Sequence, residues 1–241
     1  MNLKVLFSQL RPWMAFKMLC FTASNRILNP CGNVFFGISA EDQVIQTLLG
    51  KPIPGYYVDV GCYHPVRFSN TFGFYLRGWR GLTIDANSDY IDLHKKTRPR
   101  DTSVCCAVSD SEETVVFTKF SENSISTISP EFVKEVGNAV SVISEEKMKT
   151  RTLNSLFLEH HVPDEFDFLS IDVEGQDFEV LCSVDLMKYR PRLIVIEMRK
   201  FSFEDLSSND ICCHLAKSGY KLIAYYSING FFLRRDLISS E

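Results

Sequence analysis

The chain has 241 residues, 45% of them apolar and 23% charged, which allows one medium-sized domain with a core of useful size. A formal net charge of −4 excludes a general nucleic-acid binder, because neutralising phosphates needs a basic face. There is no internal repeat, and none of the eight cysteines (Cys20, Cys31, Cys62, Cys105, Cys106, Cys182, Cys212, Cys213) forms a C-x-x-C pair, so they read as small core residues in a reducing cytosol rather than as zinc ligands.

Residues 1–36 form a basic segment with Lys4, Arg11, Lys17 and Arg26; the first acid is Glu41. Arg11 and Lys17 interrupt the apolar run that a signal peptide needs, and the roughly 20 apolar residues of a spanning helix are absent. Leu3, Leu6, Phe7, Leu10, Trp13, Met14 and Phe16 line one helical face. The expectation is a helix covering the domain's own core. The alternative is peripheral contact with a partner or with an anionic membrane at its inner face.

The domain proper spans residues 37–241. Ser39 and Asp42 read as the cap and first turn of a helix through Val44, Ile45, Leu48 and Leu49, stopped by Gly50 and Pro52. An apolar strand, Tyr56–Val60, is followed by a helix over 69–77 and a second strand over 81–87. A polar helix over 88–96 leads to strands over 103–109 and 113–120, the latter an excursion on an edge. Residues 121–150 lose apolar periodicity and read as a lid or substrate-facing insertion, a mobile surface loop being the alternative. Order returns with a helix near 153–160, a strand ending in the acids of "SIDVEG", a helix over 177–186 and a strand over 192–198. A helix over 210–217 and two strands meeting across Ile228-Asn229-Gly230 close the chain, Asn-Gly being a hairpin turn signal. This alternation predicts an α/β three-layer sandwich around a mostly parallel sheet with an antiparallel C-terminal hairpin.

Asp59, Asp85, Asp172 and Glu197 each end a predicted strand, and in a parallel sheet those ends share one rim. A charge there is costly unless it meets a partner. Asp85 lies 26 residues after Asp59, where nucleotide-binding α/β folds place a carboxylate on ribose hydroxyls. Gly61 allows close backbone approach, but G-x-G-x-x-G is missing, so a nucleoside without a pyrophosphate fits best, with S-adenosylmethionine the leading candidate. Ser69, Asn70 and Thr71 open a predicted helix that suits its carboxylate.

"VDVGCYHPVRFSNTFGFYLRGWRGLTIDAN", "CCAVSD", "FLSIDVEGQDFEVL" and "PRLIVIEM" together resemble the FkbM family of S-adenosylmethionine-dependent methyltransferases, over residues 37–232. The resemblance implies the class I methyltransferase (Rossmann-like) fold, a seven-stranded sheet of order 3-2-1-4-5-7-6, and methylation of hydroxyls, often on sugars of polysaccharides, glycolipids or antibiotics. By position it implies that Asp59 and Gly61 form the loop beneath the methionine part of the cofactor. Cys62 and Tyr63, where members often carry Ala-Asn or Ala-His, would neighbour that tail. Asp85 would hold the ribose with Ala86 and Asn87 beside it. Cys106, Ala107 and Val108 would border the adenine, and Asp172 would face the cofactor's amino group or the reacting centre.

A sugar hydroxyl is a poor nucleophile, so a base helps. His64, in the loop after the first strand and with an ordinary pKa of about 6.5, is the first candidate, unless it only shapes the loop before Pro65. Asp172 and Glu174 follow; the alternative for Glu174 is a cap on the next helix. Asp172 with Glu197 has the oxygens for a divalent cation, but no metal is expected. Arg67, Arg199 and Lys200 follow strands on the same rim and suit an acidic or phosphorylated glycan, or are solvated charges. The expected acceptor is a saccharide or another small hydroxylated molecule, met in the cytoplasm. A nicotinamide-dependent oxidoreductase and a non-catalytic binding module on the same fold are the rival readings.

Overall fold

In the computed structural model, residues 12–28, 34–50, 54–122, 125–137 and 139–238 are described. The expectations for Leu3, Lys4, Leu6, Phe7, Leu10, Arg11, Cys31 and Pro52 lie outside these residues.

Seven strands form the main sheet: β1 (Tyr56–Val60), β2 (Arg80–Asp85), β3 (Thr102–Cys105), β8 (Glu165–Ile171), β9 (Arg190–Glu197), β10 (Tyr220–Tyr226) and β11 (Asn229–Arg234). Their spatial order is β10-β11-β9-β8-β1-β2-β3. The pairs β9/β8, β8/β1, β1/β2 and β2/β3 are parallel, and β11 runs antiparallel to both β9 and β10. Successive β1 residues alternate between two covered faces. Val58 and Val60 join Leu82, Ile84, Leu169 and Ile194 on one face, and Tyr57 joins Phe168, Val195 and Phe231 on the other.

A second sheet holds the four strands β4 (Ala107–Val108), β5 (Thr114–Phe120), β6 (Ser126–Thr127) and β7 (Val142–Arg151), in the order β4-β7-β5-β6. The sequence did not announce it. The apolar run over 103–109 breaks at Cys106, so that β3 pairs with β2 and β4 pairs with β7. The excursion over 113–120 is β5, paired with β7 and β6 rather than with an edge of the main sheet. The described residues of 121–150 are therefore largely folded, with a short helix, α5 (Pro130–Val136), between β6 and β7.

Helices α1 (Pro12–Leu28), α2 (Glu41–Leu49), α3 (Phe72–Tyr75), α4 (Ser88–Thr97), α6 (Leu153–Glu159), α7 (Asp177–Cys182) and α8 (Asp210–Lys217) complete the described α-helices. α3 is shorter than the helix expected over 69–77. On α1, Ala15 is buried against Phe72, Tyr75 and Leu76, while Trp13 and Phe16 are 57% and 61% exposed. The described part of α1 thus covers the domain with its Ala15 side, not with the Trp13–Phe16 side. No described helix is long and apolar enough to cross a membrane. Ser39 does not cap α2: Ala40 is the cap, in the left-handed region, and Asp42 accepts from the amides of Phe36 and Gly37. The hairpin turns at Ser227-Ile228, not at Asn-Gly. Gly230 already lies in β11, paired with Ile196, where a Cβ would stand 2.4 Å from Met198 Sδ. Of the described cysteines, all free, Cys62 and Cys212 are buried but Cys20, Cys105 and Cys182 are exposed, against the expectation of core positions.

Arg98, fully buried just after α4, ties these layers together. Its five N–H donors meet five acceptors. Nε donates to Asp101, Nη1 to Pro65 O and Ser69 Oγ, and Nη2 to Tyr57 Oη and Thr71 Oγ1. Asp101 in turn accepts from the Gly81 amide of β2. Arg98→Met would leave Asp101 and Asp59 as buried acids without their cation. It is predicted to cost about 3–5 kcal/mol of folding stability, read as a lowered urea midpoint; an unchanged midpoint would contradict the bracing role.

Candidate active site

The chain builds β1, β2 and β3 outward in one direction and β8 and β9 in the other, so strand order reverses between β1 and β8. Open α/β sheets bind ligands above such a point, beyond the carboxyl ends of the strands. A cavity of about 340 Å³ lies there. Gly61, Asp85, Val108, Phe117, Asp172 and Glu197 form much of its wall.

Gly61 makes the close approach possible. Its φ is +76°, and a Cβ there would lie 1.6 Å from the carbonyl oxygen of Asp172. Its amide and that of Cys62 donate to Ile84 O, at 2.9 and 3.1 Å, which bends the chain over β2. The next residue, Tyr63, has a φ of 46°, and its amide donates to Asp85 Oδ2 at 2.8 Å. Asn87 N donates to Asp85 Oδ1 at 2.7 Å. Burial pushes the Asp85 carboxyl up to about 6, although both amides pull the other way. His94, fully buried on α4, keeps a neutral ring, because burial pulls its pKa down to about 3; its Nε2–H therefore points to Tyr63 O, at 3.1 Å.

Gly61, Tyr63, Asn70, Asp85, Ala86, Cys106, Ala107, Val108, Asp172 and Glu174 all meet at the cavity wall, as the sequence reading grouped them. Asp59, Cys62, Ser69, Thr71, Asn87 and His64 do not reach it. Asp59 faces away from Val60 and accepts from Thr71 Oγ1 at 2.6 Å. Ser69 Oγ accepts from the amides of Thr71 and Phe72, so those donors are spent within the loop. Asn87 caps α4 through its side chain, which accepts from Asp89 N at 3.1 Å. His64 Nδ1 accepts from the amides of Val66 and Arg67, both at 3.1 Å, so that nitrogen shapes the loop, and the residue does not line the cavity.

Beyond β8 and β9 the wall is acidic. Arg199 donates through Nε to Glu197 at 3.0 Å and through Nη2 to Glu174. Asp177 accepts from the amides of Val173 and Gly175, at 3.0 and 3.2 Å. Glu174 is no helix cap: α7 begins at Asp177 after Gln176. Burial first, then the neighbouring acids, raises Asp172 well above the carboxylate range. The same causes lift Glu174 to about 7, with Arg199 opposing, and Asp177 to about 8. Carboxylate oxygens of Asp172, Asp177 and Glu197 lie within 4.8 Å of one another. Two of those three groups already have donors in the protein, Asp177 from two amides and Glu197 from the Arg199 guanidinium.

The insertion is pinned over this edge. Thr127 Oγ1 donates to Glu174 O at 2.7 Å, the Arg199 guanidinium lies 4.7 Å from the Phe132 ring, and Lys200 pairs with Glu135 at 3.2 Å. Ser126, Thr127 and Ile128 join the wall. Sequence reading missed Glu41, Tyr90, Phe117 and the hairpin residues Ile228 and Asn229, which also line it. Tyr90, a turn into the helix after Asp85, carried a signal; its ring meets Tyr63 edge-on at 4.6 Å. Nothing local shows that Glu41 is buried.

The methyltransferase FkbM domain family matches residues 59–222. Among solved structures, a TehB-like SAM-dependent methyltransferase from Corynebacterium glutamicum is similar, with 14% identity and a TM-score of 0.40 over 88% of this chain and 93% of that one. A likeness of that size carries no argument about function. No curated protein matches the chain.

Raised acids bind protons in the folded chain that they release on unfolding, so their stabilising share is lost as pH rises from their ordinary values through the folded ones. For Glu174 and Asp177 that window runs from 4.5 and 3.8 to about 7 and about 8. Thermal melts of the ligand-free protein are predicted to fall between pH 5 and 8, and Glu174→Gln to flatten the fall; a melting temperature rising across that window would contradict the assignment.

Proposed function

The chain belongs to the FkbM methyltransferase family, and from that premise we propose that it transfers a methyl group from S-adenosylmethionine to a hydroxyl oxygen, on a sugar of a polysaccharide, glycolipid or secondary metabolite. The observation that carries this reading is the charge of the cavity at the strand-order reversal. Glu41, Asp85, Asp172, Glu174 and Glu197 face it with Arg199 as their one cation among the described lining residues. Such a wall suits a ligand carrying a sulfonium and an ammonium, and opposes the pyrophosphate of a nicotinamide cofactor. The sheet order agrees with the 3-2-1-4-5-7-6 order implied for the class I fold.

In this reading Cys106, Ala107 and Val108 border the adenine. Asp85 and Ala86 take the ribose, and Gly61, Tyr63, Asn70 and Asp172 surround the methionine tail. When bound, S-adenosylmethionine supplies a methyl group on a positively charged sulfur, which leaves in line as the bond to the acceptor oxygen forms. The chain's own work is alignment, exclusion of water and removal of one proton. Glu174 is the best-placed base. With its pKa near 7 it is partly ionised at neutral pH, and Arg199 fixes its carboxylate. Asp172, beside it, holds the positive end of the cofactor. The insertion, latched through Thr127 and Phe132, covers the acceptor side, and Arg199 and Lys200 meet acidic groups on a glycan. The exposed Trp13 and Phe16 of α1, with Lys17, are the surface offered to an anionic membrane.

S-adenosylhomocysteine is expected to raise the melting temperature and NAD to leave it unchanged. That shift should shrink as pH falls through about 6, where Asp85 takes up a proton and stops accepting from the ribose. In a labelled methyl-transfer assay with glycan fractions, Glu174→Gln is expected to lower kcat about 10²–10⁴-fold while binding of S-adenosylhomocysteine persists. His64→Ala should retain activity. Cofactor binding without transfer to any hydroxylated acceptor would favour a non-catalytic module instead.

A further inference from the structure

Glu41, the first residue of α2, is 1% exposed and forms part of the cavity wall. One carboxylate oxygen, Oε2, accepts from the Ser39 amide at 2.9 Å. The other, Oε1, is buried and has no hydrogen-bond partner in the protein. A buried carboxylate oxygen without a donor costs free energy, and the neighbouring acid shows the contrast: Asp42 has both its oxygens occupied, by the amides of Phe36 and Gly37.

The position of Glu41 along the cavity is fixed by its neighbours. A Cβ added to Gly37 would stand 2.5 Å from Glu41 Oε2 and 3.2 Å from Asn70 Oδ1, so the carboxylate rests on bare backbone beside Asn70. Asn70 Nδ2 donates to Ser170 Oγ on β8 at 3.2 Å. Glu41 therefore stands above the gap between β1 and β8. Cys106, bonded to Asp85 O beyond β2, lies toward the other end.

We propose that Glu41 Oε1 accepts a hydrogen bond from the ammonium group of the cofactor's methionine tail, which rests on the reading of the cavity as an S-adenosylmethionine site. An ammonium brings three donors and one positive charge into reach of an oxygen that lacks any donor. The Ser39 bond holds Oε2, so the free oxygen is presented without rearrangement. Adenine and ribose, bound toward β2 and β4, do not reach it.

Calorimetry on the full chain with two ligands tests this. S-adenosylhomocysteine carries the tail; 5′-methylthioadenosine has the same adenine and ribose and no amino acid. Glu41→Gln keeps an oxygen for Ser39 and removes the charge. It is expected to weaken S-adenosylhomocysteine about 10- to 100-fold and 5′-methylthioadenosine by no more than about two-fold. Gly37→Ala, which crowds the carboxylate without neutralising it, should show the same selective loss and serves if Glu41→Gln fails to fold. Equal weakening of both ligands, or of neither, overturns the role of Glu41 alone. A wild-type chain that binds neither ligand overturns the S-adenosylmethionine reading as well.

Discussion

The structure depends on one buried cation. Arg98 has all five of its donors satisfied inside the protein, at groups that come from the β1 strand, the loop after it and the turn before β3. A guanidinium can be buried because its planar fork meets several acceptors at once. Here that fork sets where the loop from Gly61 to Thr71 lies. Asp59 belongs to this network through Thr71, and its carboxyl is raised first by burial and lowered by Thr71 and Arg98. The acid at the end of the first strand is thus a brace beneath the site. What it positions is the bend at Gly61 and Tyr63, and so the place where Asp85 is gripped by two amides.

A brace on one side of the sheet's edge permits crowding on the other. Burial first, then Glu197 and one another, raises the carboxyls of Asp172, Glu174 and Asp177, with Arg199 the cation among them. Like charges at that separation cannot all ionise in a buried site. Burial and the neighbouring acids therefore favour the protonated forms of Asp172, Glu174 and Asp177 in the folded chain. The insertion joins the same balance, because α5 lays Phe132 on Arg199 and Thr127 of β6 donates to the backbone of Glu174. The insertion and the Glu174–Arg199 pair are thus held together at one edge of the cavity.

Much of this was legible in the chain. Apolar runs ending in acids located β1, β2, β8 and β9, since strands covered on both faces must be apolar throughout and only their ends can carry charge. Gly61, Asp85 and Asp172 fell at the strand-order reversal because in a parallel sheet all such ends share one rim. The run from Ser103 to Ser109 misled: one apolar stretch serves two sheets, and only pairing partners distant in sequence decide that it breaks at Cys106. Asn229-Gly230 misled too, because cross-strand pairing draws both residues into β11 and leaves Ser227-Ile228 as the turn.

The sequence by itself determined the alternation of elements, the family motifs and the rim of carboxylates, because periodicity, glycine placement and charge at strand ends are local properties. Tertiary structure alone decided what each polar side chain does. Asp59 and Asp172 look alike in sequence, yet strand alternation turns one under the loop and leaves the other in the cavity. His64 looked like a base until two backbone amides claimed its ring nitrogen. Glu41 carried no local signal, and only the fold buries it with one oxygen unpaired. A hydrogen bond depends on atoms brought together from distant positions, and no local pattern encodes which donors arrive.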